Sequence, residues 1–246
     1  MTSESPIRIA VAGAKGRMGQ AVLKILETHP AAQLAVAFDR DDQPDLTGVD
    51  AVIDFSTPEA TLTLAKRCAT REHKPALIIG TTGFDPMQLA QLNGLGTELT
   101  LLRSGNFSLG VNLLTGLVKQ AAARLPAWAW DIEVTEAHHN RKVDSPSGTA
   151  LMLGEAAAAG RGELLIDKAV HDRKGTRKVG DIGFSVIRGG GIIGEHDVLF
   201  AAEDELIRFS HSARDRSLFA RGAVTAAVWA AGQPAGLYTM QDVLGL

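Results

Sequence analysis

The densest gathering of reactive side chains in this chain is Glu136-Ala137-His138-His139-Asn140-Arg141-Lys142-Val143-Asp144-Ser145-Pro146-Ser147-Gly148-Thr149-Ala150. Its two imidazoles can give or take a proton near neutral pH, and the cations beside them can hold an anionic substrate. Ser147, Gly148 and Thr149 then open a helix-like apolar segment from Ala150 to Ala159. The unpaired N–H groups and positive dipole end of such a helix start favour a carboxylate or phosphate. A solvated basic loop ending in an ordinary helix cap would use some of the same residues. Adjacent histidines point to opposite sides of a strand and no further ligand set accompanies them, so no metal site is expected.

The elements that must position this stretch begin at Ile7-Arg8-Ile9-Ala10-Val11-Ala12, a β-branched run that ends in Gly13-Ala14-Lys15-Gly16-Arg17-Met18-Gly19. Helical apolar spacing follows at Val22, Leu23, Ile25 and Leu26. Strand, glycine turn and helix form the setting of a dinucleotide fingerprint, here in a variant spacing with the second glycine one place late. Gly13 would permit the tight turn, Gly16 a close approach of backbone to pyrophosphate, and Gly19 close packing of helix on strand. A second buried strand, Leu34 to Phe38, ends in Asp39-Arg40. Asp39 can accept hydrogen bonds from ribose hydroxyls, whereas Arg40, with Lys15 and Arg17, can neutralise a ribose 2′-phosphate. The choice between NADH and NADPH stays open at this point.

Strands and helices go on alternating. Asp50 to Phe55 reads as a strand, with Ser56-Thr57-Pro58-Glu59 capping the next helix; Ala76 to Ile79 is closed by Gly80-Thr81-Thr82-Gly83-Phe84; and Glu98 to Leu102 is closed by Ser104-Gly105-Asn106-Phe107. Such alternation predicts an α/β, Rossmann-like doubly wound parallel sheet whose ligand lies at the carboxyl ends of the strands. Gly13, Phe55 to Thr57, Gly80 to Thr82 and Gly105 to Phe107 would then converge on one cofactor.

After a helix from Leu109 to Leu125 the texture changes. Trp128 to Thr135 alternates as a strand, and three more β-rich runs, Ile182 to Arg188, Ile192 to Phe200 and Glu205 to His211, follow with no long helix between them. They predict a second α+β domain with an open mixed or antiparallel sheet. The charged, glycine-bearing segment from Asp167 to Asp181 is expected to be a mobile loop. Ser217 to Ala231 is again helical and would return to the first domain, which otherwise lacks a covering helix. The division is therefore 1–108 with 217–246 for the dinucleotide, and 109–216 for substrate binding and oligomerisation.

Composition narrows the classes. With hydrophobic residues at 45%, charged residues at 22% and a net charge of -3, the chain is an ordinary globule with no electrostatic reason to bind nucleic acid. No apolar run approaches the roughly eighteen residues of a membrane span. The opening Met1-Thr2-Ser3-Glu4-Ser5-Pro6 is polar and acidic, unlike a signal peptide, and reads as a short disordered lead-in. The single cysteine, Cys68, reads as a buried apolar residue, consistent with a reducing cytoplasm.

Taken together, these blocks resemble the dihydrodipicolinate reductase family. The resemblance is carried by Val11 to Gly19, by Asp54-Phe55-Ser56-x-Pro58-Glu59, by Gly80 to Phe84, by Asn106-Phe107-Ser108-x-Gly110-Val111-Asn112, by Gly194-Glu195-His196 and above all by Glu136 to Ala150. It spans nearly the whole chain in order. It implies that His138 and Lys142 form the acid/base pair, with Lys142 the stronger candidate for proton donor, and that His139, Gly148 and Thr149 hold the substrate's carboxylates. It places NADH or NADPH against Gly13, Arg17, Met18, Asp39, Gly80, Thr82, Asn106 and Phe107. The implied reaction reduces a cyclic unsaturated dicarboxylate to tetrahydrodipicolinate in lysine and diaminopimelate biosynthesis, in a cytoplasmic homotetramer assembled through the second sheet. Arg141 falls where the family varies and is expected to face solvent. The short stretch between Asp39 and Val52 departs from many relatives and leaves the cofactor preference open. Another two-domain NAD(P)-dependent dehydrogenase would explain the nucleotide half but not the His138-His139-Lys142 cluster, and a catalytically silent NAD(P)-binding sensor would need neither His138 nor Lys142.

Overall fold

The computed structural model describes residues 5–246, so most of the expected N-terminal lead-in lies outside the described residues. The chain divides into two compact units, one made of the segment ending at Leu109 together with Ser217–Leu246, the other of Gly110–Arg216. Among the described residues no helix is long and apolar enough to cross a membrane.

The first unit is built on a six-stranded parallel sheet. Its strands are β1 (Ile7–Ala12), β2 (Ala32–Phe38), β3 (Ala51–Asp54), β4 (Ala76–Ile79), β5 (Thr100–Arg103) and β11 (Gly236–Tyr238), in the order β11-β5-β4-β3-β1-β2. Near-continuous apolar strands such as Ala76-Leu77-Ile78-Ile79 suit a sheet covered on both faces. Ile9, Val11, Ile53 and Ile78 pack on one face with the helices α1 (Arg17–Leu26) and α7 (Ser217–Ala230). Ala10, Val52, Leu77 and Ile79 pack on the other with Leu62 and Ala65 of α2 (Pro58–Ala69) and Leu92 of α3 (Pro86–Gly94). Cys68 lies in this second layer, fully buried, and burial pushes its thiol up to about 11.

The doubly wound sheet expected from the alternating pattern is present, and α7 does return to cover it. The sixth strand, β11, went unseen in the sequence because three residues are too few to show a period. It pairs in parallel with β5, Leu237 opposite Leu101.

In the second unit the strands β6 (Asp131–His138), β7 (Ala169–Val170), β8 (Ile182–Arg188), β9 (Glu195–Ala201) and β10 (Leu206–Ser212) form a mixed sheet ordered β10-β9-β6-β8-β7. β6 runs parallel to β8 and antiparallel to β9. Ile132, Val134, Val198, Phe200, Ile182 and Phe184 face one core with α4 (Leu109–Arg124) and α5 (Gly148–Gly160). The segment expected to be a mobile loop begins instead as ordered structure, α6 (Leu165–Lys168) followed by β7. Farther along it, Arg173 pairs with Glu133 at 2.7 Å and with Asp181 at 3.2 Å, and Arg177 pairs with Asp131 at 2.8 Å. These arginines tie the segment to β6, a cross-strand link that local composition does not reveal.

Buried polar groups cluster at one end of this core, and His196 on β9 is among them at 4% exposure. Burial, reinforced by the neighbouring His138, pulls its imidazole down to about 4 from the ordinary 6.5. The unfolded chain then binds a proton that the folded chain refuses, so stability falls as pH drops from about 6.5 towards 4. The loss expected from this one group is on the order of 3 kcal/mol. Denaturant titrations across that range, with His196→Gln as the control, check it; an unchanged slope in the variant would assign the effect to other groups.

Packing in the first unit offers a second test. A Cβ placed on Gly222 of α7 would sit 1.7 Å from the backbone oxygen of Phe107. Backbone cannot rotate away as a side chain can, so Gly222→Ala is expected to destabilise the protein by about 2–3 kcal/mol. Thermal melting measures this, and an unchanged midpoint would contradict the packing described.

Candidate active site

The glycine turn after β1 is shaped by close backbone contacts. Gly13 has φ of +73°, a region that favours glycine, and a Cβ there would lie 2.6 Å from the carbonyl oxygen of Phe55. Gly19 packs the start of α1 against the turn rather than against the strand, since its Cβ would lie 2.2 Å from the carbonyl oxygen of Gly13. Asp39, at the end of β2, accepts the Lys15 N–H at 3.2 Å, and its own N–H donates to Asp42 at 2.8 Å.

Around this turn lies a cavity of about 730 Å³ whose lining includes Gly13, Gly16, Asp39, Arg40, Phe55 and Thr57. That volume is in the range of small-molecule sites. Arg17 is exposed at the first turn of α1, and Met18 packs against the core. The remaining expected cofactor residues follow β4 and β5 rather than lining this cavity. Gly80 and Thr82 are accessible, but Thr81 is buried with its hydroxyl engaged by the Ser56 N–H and the Thr61 hydroxyl. Phe107 is also buried, its ring meeting Phe55 edge-on at 5.8 Å. Ser104 and Asn106 bond to each other across the turn that holds Gly105. Thr81 and Phe107 thus shape the strand ends from within.

In the second unit β6 extends three residues beyond its expected end, which puts Glu136 and His138 on the inward face with Ile132 and Val134. Glu136 is 1% exposed. Its carboxylate accepts from His138 Nδ1 at 2.5 Å, from both terminal nitrogens of Arg188 at 2.8 Å, and from the Ser147 N–H at 2.9 Å. Burial pushes this carboxyl up, but the bonds from Arg188, His138 and Ser147 outweigh it and hold the group below the usual carboxylate range.

Ser147 is the N-cap of α5. Its hydroxyl accepts from the Ala150 N–H at 3.2 Å and contacts His196 Nε2 at 3.2 Å. Gly148 is exposed just inside the helix, and Thr149 is half-buried. A helix N-terminus of this kind, with open space at Gly148, suits an anion.

His139 follows His138 in the chain, and Arg216 donates to its Nε2 at 3.3 Å. Partial burial, with Arg141, Arg216 and other positive groups around it, lowers the His139 imidazole below its ordinary value. Lys142 pairs with Asp144 at 2.7 Å, and that pairing holds the Asp144 carboxyl low. Arg141 is exposed, as expected.

The donor atoms of Glu136, His138 and His196 lie within 4.8 Å of one another, a grouping that linear spacing hides. Both oxygens of Glu136 are, however, already bonded. The sequence reading also passed over Arg188 and Arg216. An arginine ending a β-rich run, and another just before a helix, were the available signals, but neither reveals its partner.

Comparison with known proteins adds independent evidence. Residues 7–107 match the family model described as dihydrodipicolinate reductase, N-terminus, and residues 110–244 match that described as dihydrodipicolinate reductase, C-terminus. A 4-hydroxy-tetrahydrodipicolinate reductase of Caulobacter vibrioides is 56% identical, covering 98% of each chain. One from Sinorhizobium medicae is 44% identical over 99% of each. The solved structure of a dipicolinate-bound dihydrodipicolinate reductase from Paenisporosarcina sp. superposes with a TM-score of 0.78 at 25% identity, covering 97% of this chain and 99% of the other. On this evidence the chain belongs to the dihydrodipicolinate reductase family.

Proposed function

We propose that the chain catalyses the NADH- or NADPH-dependent reduction of 4-hydroxy-tetrahydrodipicolinate to tetrahydrodipicolinate, a step of lysine and diaminopimelate biosynthesis. The observation that carries this reading is the Glu136 carboxylate, which bonds both His138 and the Ser147 cap of α5 and so ties the imidazole to the start of that helix. The relative that holds dipicolinate has a planar ring dicarboxylate, the same chemical class as the substrate.

The first unit would hold the dinucleotide, with the pyrophosphate at the start of α1 and the adenosine ribose in the cavity beside Asp39 and Arg40. The nicotinamide supplies a hydride from C4. In the second unit, the N–H groups of Gly148 and Thr149 and the imidazole of His139 would take the substrate's carboxylates. The 4-hydroxyl would leave as water together with a hydrogen of the neighbouring ring carbon; a hydride reaching the resulting unsaturated ring would leave an electron-rich carbon, to which Lys142, with His138 as its acid/base partner, would deliver the proton. The neutral character favoured for His139 lets it bond to a carboxylate without competing as an acid.

Assembly as a homotetramer through the second sheet follows the family resemblance. It would cover Ile187 and Leu206, apolar side chains that are 52% and 53% exposed on the sheet of the single chain. A cytoplasmic location suits a biosynthetic reductase with these features.

The direct test is oxidation of NADH and NADPH, measured separately, with substrate generated in place by the preceding synthase. Consumption that depends on the synthase is the expected result, and binding of both cofactors without turnover would favour the silent sensor. Within that assay, Lys142→Ala is expected to lower kcat by about 10²-fold or more while cofactor affinity holds; undiminished turnover would remove Lys142 as proton donor.

Cofactor choice has its own test. Arg40→Ala should raise KM for NADPH about tenfold and leave that for NADH nearly unchanged, with Asp39→Ala acting in the opposite sense. Equal effects on the two cofactors would show that neither side chain reads the ribose.

A further inference from the structure

Glu136 has no part in the chemistry above, yet its carboxylate is the most heavily engaged group in the second unit's site. A carboxylate offers about four lone-pair sites. Here Oε2 takes His138 Nδ1 and Arg188 Nη1, while Oε1 takes Arg188 Nη2 and the Ser147 N–H. Arg188 reaches further, donating to the carbonyl oxygen of Asp144 at 2.7 Å. One ion pair, its carboxylate fully buried, therefore holds the strand end that bears His138, the loop that bears Lys142 and the cap that opens α5.

This arrangement constrains the His138 ring. The Arg188 guanidinium beside Glu136 helps hold its carboxyl low and ionised, and an ionised carboxylate has no hydrogen to give. An unprotonated Nδ1 at 2.5 Å would place lone pair against lone pair, so Nδ1 must carry a hydrogen. Proton exchange is thereby confined to Nε2. Gly194 lies against that nitrogen, and a Cβ there would come within 3.0 Å of it, so glycine is the residue that leaves Nε2 uncrowded.

We propose that Glu136, clamped by Arg188, is a positioning residue that fixes His138 in the Nδ1–H form and, with the same carboxylate, holds the start of α5 where the substrate's carboxylate binds. The proposal rests on the reading of His138 as a group that meets the substrate. A purely structural ion pair would stabilise the fold without governing which nitrogen of His138 carries the proton.

The test combines nitrogen-15 NMR of labelled histidine with kinetics. In the unaltered protein, neutral His138 is expected to show a protonated Nδ1 and an unprotonated Nε2; the reverse pattern would overturn the proposal whatever any variant does. Glu136→Gln is expected to mix the two forms and to lower kcat by about 10²-fold, with KM for the dicarboxylate changed only a few-fold. Glu136→Asp, which restores a carboxylate, should recover both the ring pattern and part of the rate.

His138→Gln separates the two levels of the argument. Full turnover in that variant would overturn the reading of His138 and the proposal with it. Turnover lost in His138→Gln but kept in a folded Glu136→Gln would overturn the positioning role alone.

Discussion

Burying a carboxylate at the end of an apolar strand face is the constraint around which the second unit's site is arranged. Taking such a charge out of water costs on the order of several kcal/mol unless a counter-charge and hydrogen bonds replace the lost solvation. Glu136 has both, the counter-charge from Arg188 on the neighbouring parallel strand and further hydrogen bonds from His138 on its own strand and from the Ser147 cap. Each donor bonded to that carboxylate loses its freedom to be elsewhere. A ring, a helix cap and a loop are in this way ordered by one anion, and disorder in any of them would leave part of the charge unpaired.

The two units apply different physics to the same end. In the first, tight glycine contacts bring backbone close to backbone, and the surface they leave exposed is N–H groups, a helix start and a cavity edged by Asp39 and Arg40. Such a surface is suited to recognise a ligand by shape and by dipoles. In the second, side chains with full or partial charge are held in place by other side chains. Proton transfer requires an atom at a defined position, so the charged network suits the chemistry proposed for it and the glycine turn the cofactor.

Much of this could be read from the sequence, and the limit has a physical origin. The parallel sheet was legible because apolar strands, glycine turns and helical periods are local patterns, and the reactive cluster was legible because His138, His139 and Lys142 are neighbours in the chain. The strand expected to end at Thr135 runs on through Glu136 to His138. Extending the period of two from Ile132 and Val134 would have put Glu136 and His138 on the same inward face. Arg188, His196 and Arg216 could not be recovered in that way, since their roles depend on cross-strand register and loop return. The same holds for the segment after Lys168, where the arginines that tie it down pair with Asp131 and Glu133 far back in the chain.

The return of α7 and β11 to the first unit also sets the order in which the protein can be completed. As the chain leaves the ribosome, Gly110–Arg216 emerges whole before Ser217–Leu246 exists. The second core draws its buried side chains from within its own segment and from α4, so it can close during synthesis. The first sheet must wait, for α7 supplies Ala220, Ala223, Val224 and Ala227 to its core and β11 its edge strand. Until the last thirty or so residues arrive, β5 is a sheet edge and one apolar face is covered by α1 alone, a nascent state that exposes strand and hydrophobic surface to other chains.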